Sequence, residues 1–366
     1  MGKASYSTII PLIFAFLFST LLTAPAFAAD SESDPETAGP TEFIFHHVKD
    51  AYEWHFITIG HTHVTLPLPL ILFSPDRGLE VFMSSKFLDE YHNYVPYKGY
   101  MLTDDGGHLE AVDEGRTFYD FSITKNVFAM FISVAVMLII FLSIAKRYKQ
   151  DPRTPPKGLQ SLLEPIIIFV RDDIARPLIG EKKYKRFMPY LLTVFFFILI
   201  NNLLGLLPGA ANVTGNIAVT FVLAIITFLI TQFNGNKGYW KHIIATPGVP
   251  WWLLPIMIPI EIVGLFTKPF SLMVRLFANI TAGHIIILSL IGLVFIFKSV
   301  ALGPVSVIFG TIMTFLELLV AFLQAYVFTL LSAIYFGGAV EEHEHEHDHE
   351  ESDSMVPELQ QDSAMV

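Results

Sequence analysis

Beyond residue 125, apolar residues form long runs that short polar segments interrupt. Residues 126–145, 188–207 and 217–232 are three such runs, and turn-forming residues follow the last two. A helix of about 20 apolar residues crosses the hydrocarbon core of a bilayer, which is roughly 30 Å thick. These three runs are therefore predicted to be membrane-spanning helices.

Two further apolar runs are longer than one crossing requires. Residues 252–297 and 304–336 contain no polar loop, and at about 1.5 Å per residue they would form helices of about 68 and 50 Å. Each is either broken into a hairpin or re-entrant pair, or lies steeply tilted. Because helix breakers are rare after Pro269, we expect two long, steeply tilted helices with a kink near that proline.

Residues 158–170 form a shorter, amphipathic segment whose apolar residues recur at helical spacing. Such a helix can lie along the membrane surface. The predicted fold is thus an all-α polytopic membrane protein. It has about five membrane-embedded helices and one amphipathic surface helix, and a small β-containing exported segment precedes them.

The N-terminus has the pattern of a cleavable signal peptide, which we assign to residues 1–28. Lys3 precedes an apolar run, and Ala26-Phe27-Ala28 provides a small-x-small cleavage site. A first transmembrane anchor is the alternative, but the run has only about 14 residues where a span needs roughly 20. Residues 29–124 are then expected to be an exported, acidic segment.

Within the exported segment, residues 56–66 alternate apolar and polar side chains and are rich in β-branched residues. This pattern predicts a strand or hairpin. The segment also contains several histidines that suggest a metal site: His46, His47, His55, His61 and His63. Since the sequence offers no further ligand at a diagnostic spacing, we predict a surface or interfacial role for them and no metal site.

Charge predicts the orientation of the chain in the membrane. Lys and Arg are concentrated in residues 146–186, and the positive-inside rule places that loop in the cytoplasm. The membrane domain, residues 125–339, then ends in a disordered, acidic, His-rich cytoplasmic tail, residues 340–366. The net charge is −11 and no cysteine is present, which argues against nucleic-acid binding and excludes disulfides and thiolate metal sites.

Arg275 lies within one of the most apolar stretches of the chain. A guanidinium stays charged at any physiological pH. Placing it near the middle of a membrane costs at least about 2.5–3.5 kcal/mol, so such residues usually line ion pathways or meet a counter-charge. An ion-transport role is the favoured interpretation, and hydrogen bonding to backbone carbonyls between helices is the alternative.

The polar residues around Arg275 follow helical spacing. Glu261, Lys268, Ser271, Arg275 and Asn279 are separated by 7, 3, 4 and 4 positions, so they share one stripe at about 100° per residue. Lys268 is interpreted as an anchor that extends to the membrane surface. Glu261 is also consistent with a solvated position near the interface.

A second set of polar residues is predicted to lie away from this stripe. His284 follows Arg275 by nine positions, which places it about 180° around the helix. On the final helix Glu317, Gln324 and Tyr335 are separated by 7 and 11 positions and share a face. Gln324 is also consistent with an ordinary interhelical hydrogen bond.

Three motifs resemble one family. They are Asn202-Leu-Leu-Gly-Leu-Leu-Pro-Gly, the stretch Lys268-Pro-Phe-Ser-Leu-Met-Val-Arg-Leu-Phe-Ala-Asn-Ile-Thr-Ala-Gly-His284, and Leu323-Gln-Ala-Tyr. With them, residues 126–339 resemble subunit a of F-type ATP synthases, the membrane stator that faces the ring of c subunits. One departure is Ala278, which stands where that family usually has glycine.

The resemblance implies roles for the polar residues. Arg275 corresponds to the essential stator arginine, with Asn279 and Gln324 as its polar neighbours. Glu261 and Ser271 correspond to the cytoplasmic half-channel. His284 and Glu317 correspond to the imidazole and carboxylate of the periplasmic half-channel, in swapped order. We assign Tyr335 to the proton pathway as well, since it shares a face with Glu317 and Gln324.

The resemblance also implies partners and a location. It implies the c-subunit ring, the b-subunit peripheral stalk and the rest of the synthase as partners, the cell inner membrane as location, and no cofactor in this chain. No Gly-x-x-x-x-Gly-Lys-Ser/Thr motif occurs, so ATP chemistry is expected in other subunits. The choice between H⁺ and Na⁺ depends on the rotor.

The tail supports a second hypothesis. Residues 341–351 alternate His with acidic residues, as in tracts that bind divalent metal ions, so the alternative function is a divalent metal cation transporter. Such a transporter would need spaced intramembrane ligands, and the predicted spans offer only His284. A receptor or adhesin with an exported domain would leave Arg275 unexplained.

Overall fold

A computed structural model describes most of the chain. The predicted signal peptide, His46, His47, His61 and the His-rich tail lie outside the described residues, as do the side chains of His55 and His63. The described residues are 50–59, 62–89, 94–103, 107–113, 115–150, 158–207, 210–244, 250–297 and 303–341.

Short antiparallel strands form the region before the helices. The first two pair as a hairpin, which confirms the strand or hairpin predicted from alternation. A three-stranded sheet of order β4-β3-β7 and a β5-β6 pair complete the region. The strands are β1 (Glu53–Ile59), β2 (Thr62–Pro67), β3 (Pro69–Ser74), β4 (Gly78–Met83), β5 (Tyr100–Leu102), β6 (Leu109–Ala111) and β7 (Tyr119–Asp120).

Alternation along β3 explains why this small region folds. Leu70 and Leu72 are fully buried and pack with Phe82, Phe87 and Tyr100 in one aromatic-rich core. Successive side chains of a strand point to opposite faces, so one face of the sheet covers this core and the other is left open.

Helices form most of the described chain after residue 124. The structure confirms an all-α polytopic membrane domain, and each predicted span corresponds to an observed helix. The helices are α1 (Lys125–Gln150), α2 (Leu159–Phe169), α3 (Arg176–Ile179), α4 (Tyr184–Gly205), α5 (Ile217–Phe233), α6 (Lys237–Ile244), α7 (Leu254–Ile296) and α8 (Gly303–Val340).

Among the described residues, α1, α4, α7 and α8 are long and apolar enough to cross a membrane. The pair of α5 and α6, which are bent by 103° relative to each other, is a fifth candidate. The predicted number of about five is therefore confirmed.

The two long helices are unbroken. Helix α7 has 43 residues and includes Pro259 and Pro269, and α8 has 38 residues. The alternative of a hairpin or re-entrant pair is therefore wrong for both. At about 1.5 Å per residue they are about 65 and 57 Å long, more than a bilayer core of roughly 30 Å requires. Their steep tilt and the kink near Pro269 stay predictions.

The predicted surface helix continues further than its amphipathic pattern indicated. A π-helical turn, Val170–Ala175, connects α2 to α3. Leu159 and Leu162 at the start of α2 are exposed, whereas Ile174 and Ala175 are fully buried. The segment therefore extends from the surface of the structure into its core, because the apolar residues after 170 pack against α4 and α8.

Helix α8 packs against both α4 and α7. Phe187 of α4 stacks on Phe336 of α8 with ring centroids 4.9 Å apart. Leu276 of α7 and Ala325 and Phe328 of α8 belong to the same buried cluster. This three-helix contact positions the polar residues of α7 and α8.

The C-terminal end of α8 is held by hydrogen bonds to its backbone carbonyls. Lys183 Nζ donates to the Val340 carbonyl at 2.8 Å, and the Asn236 amide donates to the Ala339 carbonyl at 2.9 Å. One turn earlier, Gly337 lies so close to the Leu178 carbonyl oxygen that a Cβ there would overlap it, whereas a Cβ on Gly338 would meet nothing within 4 Å.

These two glycines provide a matched test of the packing. We expect Gly337→Ala to lower the free energy of unfolding by about 1–3 kcal/mol or more, because a backbone carbonyl cannot move aside as a side chain can. Gly338→Ala should be neutral or stabilise by up to about 1 kcal/mol through helix propensity. Thermal unfolding in detergent measures both, and equal midpoints for the two variants would contradict the packing.

Candidate functional site

One face of α7 is polar and points outward. Ser271, Arg275 and Asn279 are exposed, whereas Leu276 and Ile280 are buried against the neighbouring helices. The stripe predicted from helical spacing is therefore an outer surface. We call Ser271, Arg275 and Asn279 the outer polar stripe.

Arg275 lies at the midpoint of α7. Among the described residues, its guanidinium has no hydrogen-bond or ion-pair partner, and Tyr335 of α8 lies within electrostatic range of it. Lys268 Nζ lies 5.8 Å from the centroid of the Tyr335 ring. Tyr335 is thus the described α8 side chain that approaches the cationic residues of α7.

His284, on the other side of α7, lies next to Glu317 of α8. His284 Nε2 is 3.6 Å from Glu317 Oε1, and the two side chains are 21% and 6% exposed. Glu317 Oε1 is buried and accepts no hydrogen bond from the described residues. Since buried polar atoms usually have a partner, such an oxygen indicates a role in chemistry or an ordered water.

Glycine makes room for this pair. A Cβ on Gly283 of α7 would lie 2.9 Å from Glu317 Oε1 and 3.2 Å from Cδ. A Cβ on Gly205, the last residue of α4, would lie 3.8 Å from His284 Nε2. Gly283 therefore permits the close approach of the Glu317 carboxyl group, whereas a Cβ on Gly205 would make only ordinary van der Waals contact with the imidazole.

A buried amide network lies beside the pair. Thr214 Oγ1 donates to Asn202 Oδ1 at 2.6 Å, and Asn202 Nδ2 donates to the Ala321 carbonyl at 3.2 Å. Sequence reasoning used Asn202 only as part of a motif and overlooked Thr214. An amide inside an apolar span is the signal that could have identified Asn202, whereas Thr214 lies in a connection without periodicity.

The remaining predicted residues are more dispersed. Gln324 is buried in the helix packing, and Glu261 is partly buried near the start of α7. Within the described part of the chain, neither hydrogen-bonds to another predicted site residue. The structure thus brings His284 to Glu317 and Lys268 to Tyr335, and it separates the outer polar stripe from the His284–Glu317 pair.

The structure gives no support for a metal centre in the part of the chain that it describes. No group of three or more His, Asp or Glu side chains lies close enough there to hold an ion. The histidine tract of the tail lies outside these residues, so the alternative that it binds metal ions stays a hypothesis.

Comparison with known protein families shows that two family models match parts of this chain. A family model described as ATP synthase A chain matches residues 127–337, and a model described as a domain of unknown function matches residues 43–128.

Individual relatives agree with the first match. ATP synthase subunit a of Chloroherpeton thalassium is 49% identical over 244 residues, which cover 64% of this chain and 72% of the relative. ATP synthase subunit a 2 of Prosthecochloris aestuarii is 52% identical over 226 residues, 60% of this chain and 69% of the relative. The Myxococcus xanthus subunit a is 43% identical over 278 residues, 73% and 90% of the two chains.

The close approach at Gly283 can be tested against a second glycine of the same helix. We expect Gly283→Ala to displace the Glu317 carboxylate and to lower the free energy of unfolding by about 1–3 kcal/mol. Gly264→Ala, where a Cβ would meet nothing within 4 Å, should be neutral or stabilise by up to about 1 kcal/mol. An experimental structure and an unfolding curve of each variant measure the two effects. An unmoved Glu317 in Gly283→Ala would contradict the predicted contact.

Proposed function

Because the chain belongs to the ATP synthase A chain family, and is thus a multi-pass membrane subunit of the F-type ATP synthase, we propose that it is the proton-translocating stator. In this proposal it supplies two half-channels to the c-subunit ring. Arg275 is the fixed charge past which the rotor carboxylates turn. The b-subunit peripheral stalk is the proposed partner that holds the chain against the rotor.

The observation that carries the proposal is the placement of Arg275. Its charge is permanent, it lies at the midpoint of an apolar helix on an outward face, and no described residue pairs with it. A charge in that position costs at least about 2.5–3.5 kcal/mol unless a partner or water compensates it. A carboxylate on a second chain would supply the missing counter-charge.

The same charge provides a way to release a proton from the rotor. A rotor carboxyl group must be neutral to move through lipid, because an ionised one would incur the membrane penalty. Beside Arg275 the ionised form is stabilised by the opposite charge. The carboxyl therefore loses its proton there and regains one from the other half-channel, and each proton that crosses releases about 2.3 kcal/mol per 100 mV.

His284 and Glu317 are proposed to carry protons in the exported half-channel. The two groups are near each other, and the free Glu317 oxygen can receive a proton or a bridging water. Imidazole exchanges protons near neutral pH. Since the outer polar stripe lies on the opposite face of α7, protons must pass around the helix to reach the rotor surface.

The other polar residues complete the proposed pathway. Glu261 and Ser271 line the cytoplasmic half-channel, together with Tyr335, which approaches Lys268 at one end of the outer polar stripe. Asn279 continues the stripe beyond Arg275. Gln324 is proposed as a buried polar neighbour that assists without contact to solvent.

The proposed orientation follows from the two ends of the helix bundle. Strands β1 to β7, which we call the β-region, precede α1. Residues 146–186, which are rich in Lys and Arg, begin at the opposite end of α1. The positive-inside rule places the latter in the cytoplasm of a cell inner membrane. The β-region and the His284–Glu317 pair then belong to the exported half, and the C-terminus is cytoplasmic. The family assignment replaces the alternative of a metal cation transporter.

Arg275→Ala tests the stator role. We expect ATP-driven proton pumping by the assembled synthase in membrane vesicles to fall by about a hundredfold or more, since about 2.8 kcal/mol of charge compensation corresponds to that factor. Lys268→Ala, which removes a cation exposed on the same helix, is the matched control and should keep most of the pumping. Normal pumping in Arg275→Ala would refute the proposal.

His284→Ala and Glu317→Ala test the exported half-channel. Each should slow proton pumping by about 10²- to 10⁴-fold, the usual contribution of a positioned proton-transfer group. Thr267→Val is the control, because the Thr267 hydroxyl is exposed and, among the residues that the structure describes, bonds only to the Val263 carbonyl of its own helix, at 2.8 Å. Unchanged pumping in both site variants would exclude the pair from the pathway.

A further inference from the structure

The β-region is firmly attached to the start of α1. Asp50 accepts hydrogen bonds from Thr124 Oγ1 at 2.8 Å and from the Asn126 amide at 3.1 Å, which caps the helix. The Tyr52 hydroxyl donates to Asp120. Burial and this hydrogen bond raise the pKa of Tyr52, so its hydroxyl remains a donor at physiological pH. The first strand therefore holds a defined position over the helix bundle.

Trp54 on that strand packs onto the membrane domain. It shares a buried cluster with Ala129 of α1 and with Ala211 and Val213, which connect α4 to α5. Its ring meets Phe128 edge to face at a centroid distance of 6.0 Å. Val213 is only 1% exposed, so it is a fully buried member of the cluster to which Trp54 and Ala129 also belong. We call residues 210–216 the α4–α5 connection.

The α4–α5 connection is in turn packed against the candidate site. A Cβ on Gly205 would meet His284 Nε2 at 3.8 Å, Asn212 Oδ1 at 3.9 Å and the Ala211 carbonyl at 4.0 Å, so these three groups converge on one point. Thr281, one turn before His284, donates to the Gly215 carbonyl at 3.5 Å.

Hydrogen bonds also fix the shape of the connection. Asn212 Oδ1 accepts from the Gly215 amide at 2.9 Å, which closes a tight turn. Thr214, fully buried, bonds to Asn202 of α4 as described above. These hydrogen bonds hold the turn in one conformation. A displacement of Ala211 or Val213 would therefore also move the groups beside His284.

We propose that the β-region is a buttress for the His284–Glu317 pair. Trp54 holds the α4–α5 connection against α4 and α7. This contact sets the positions of the Ala211 carbonyl and the Asn212 side chain beside the imidazole of His284. Trp54 is thus a positioning residue that touches neither the rotor nor the proton. The link to transport rests on the proposed role of His284 and Glu317. The packing of Trp54 with Ala211 and Val213 does not depend on that role.

The contact can be measured without transport. The chain has no cysteine, so in the assembled synthase Val213→Cys introduces one thiol into this chain, within the cluster that includes Trp54. Adding Trp54→Ala should raise its rate of labelling by a membrane-impermeant maleimide by about tenfold or more, because truncation of a buried Trp opens the cluster. Tyr119→Ala, a truncation of an exposed aromatic residue of the same region, should leave the rate unchanged. An unchanged rate with Trp54→Ala would overturn the buttress.

Transport provides the second measurement, without the introduced cysteine. Trp54→Ala should slow ATP-driven proton pumping by about 2- to 30-fold and shift its pH profile. Trp54→Phe, which retains an aromatic ring, should restore most of the rate at the original pH optimum, and this rescue also separates positioning from failure to fold. An unaltered rate and profile in Trp54→Ala, despite faster labelling, would overturn the link to the pair.

The two proposals fail in distinguishable ways. If His284→Ala and Glu317→Ala pump normally, the proton pathway is wrong, but the labelling result at position 213 still decides the buttress. If those variants are impaired, but Trp54→Ala neither speeds the labelling of Val213→Cys nor slows proton pumping, the pathway stands and the buttress is refuted.

Discussion

A permanent positive charge on the outer face of a membrane helix is the constraint on which the rest of this structure depends. Arg275 cannot become neutral, and the described chain offers it no counter-charge. The inner face of α7 must then provide all of the apolar packing, through residues such as Leu276 and Ile280. A helix with one face committed to its own chain and a charged face open is suited to an interface with a second, moving surface.

Close helix packing solves the complementary problem inside the bundle. In a membrane, polar groups find few partners other than one another. Gly283 lets α8 approach α7 closely enough for His284 and Glu317 to meet, and Asn202 with Thr214 forms a satisfied network next to them. A carboxyl oxygen that accepts no hydrogen bond from the described residues, beside this network, is what the proposed proton pathway requires.

The β-region extends this packing beyond the membrane domain. It is tied to α1 through Asp50, and Trp54 belongs to the same buried cluster as Ala211 and Val213 of the connection that lies beside His284. The β-region and the proposed proton pathway are therefore not independent in this molecule, since residues 210–216 lie next to both. The physical reason is that a tight turn transmits a displacement that a flexible loop would absorb.

The sequence by itself determined the class of fold and the identity of most of the polar residues. Apolar runs set the helices, because a membrane span needs length and hydrophobicity whatever its neighbours are. Helical spacing separated Arg275 from His284, because both lie on one helix whose periodicity is known. Spacing could not show that Gln324 is buried, that Thr214 bonds to Asn202, or that Trp54 and Val213 belong to one buried cluster. Those facts depend on which helices pack together and how closely, and only the tertiary structure decided them, since packing between distant segments leaves no periodic trace in the chain.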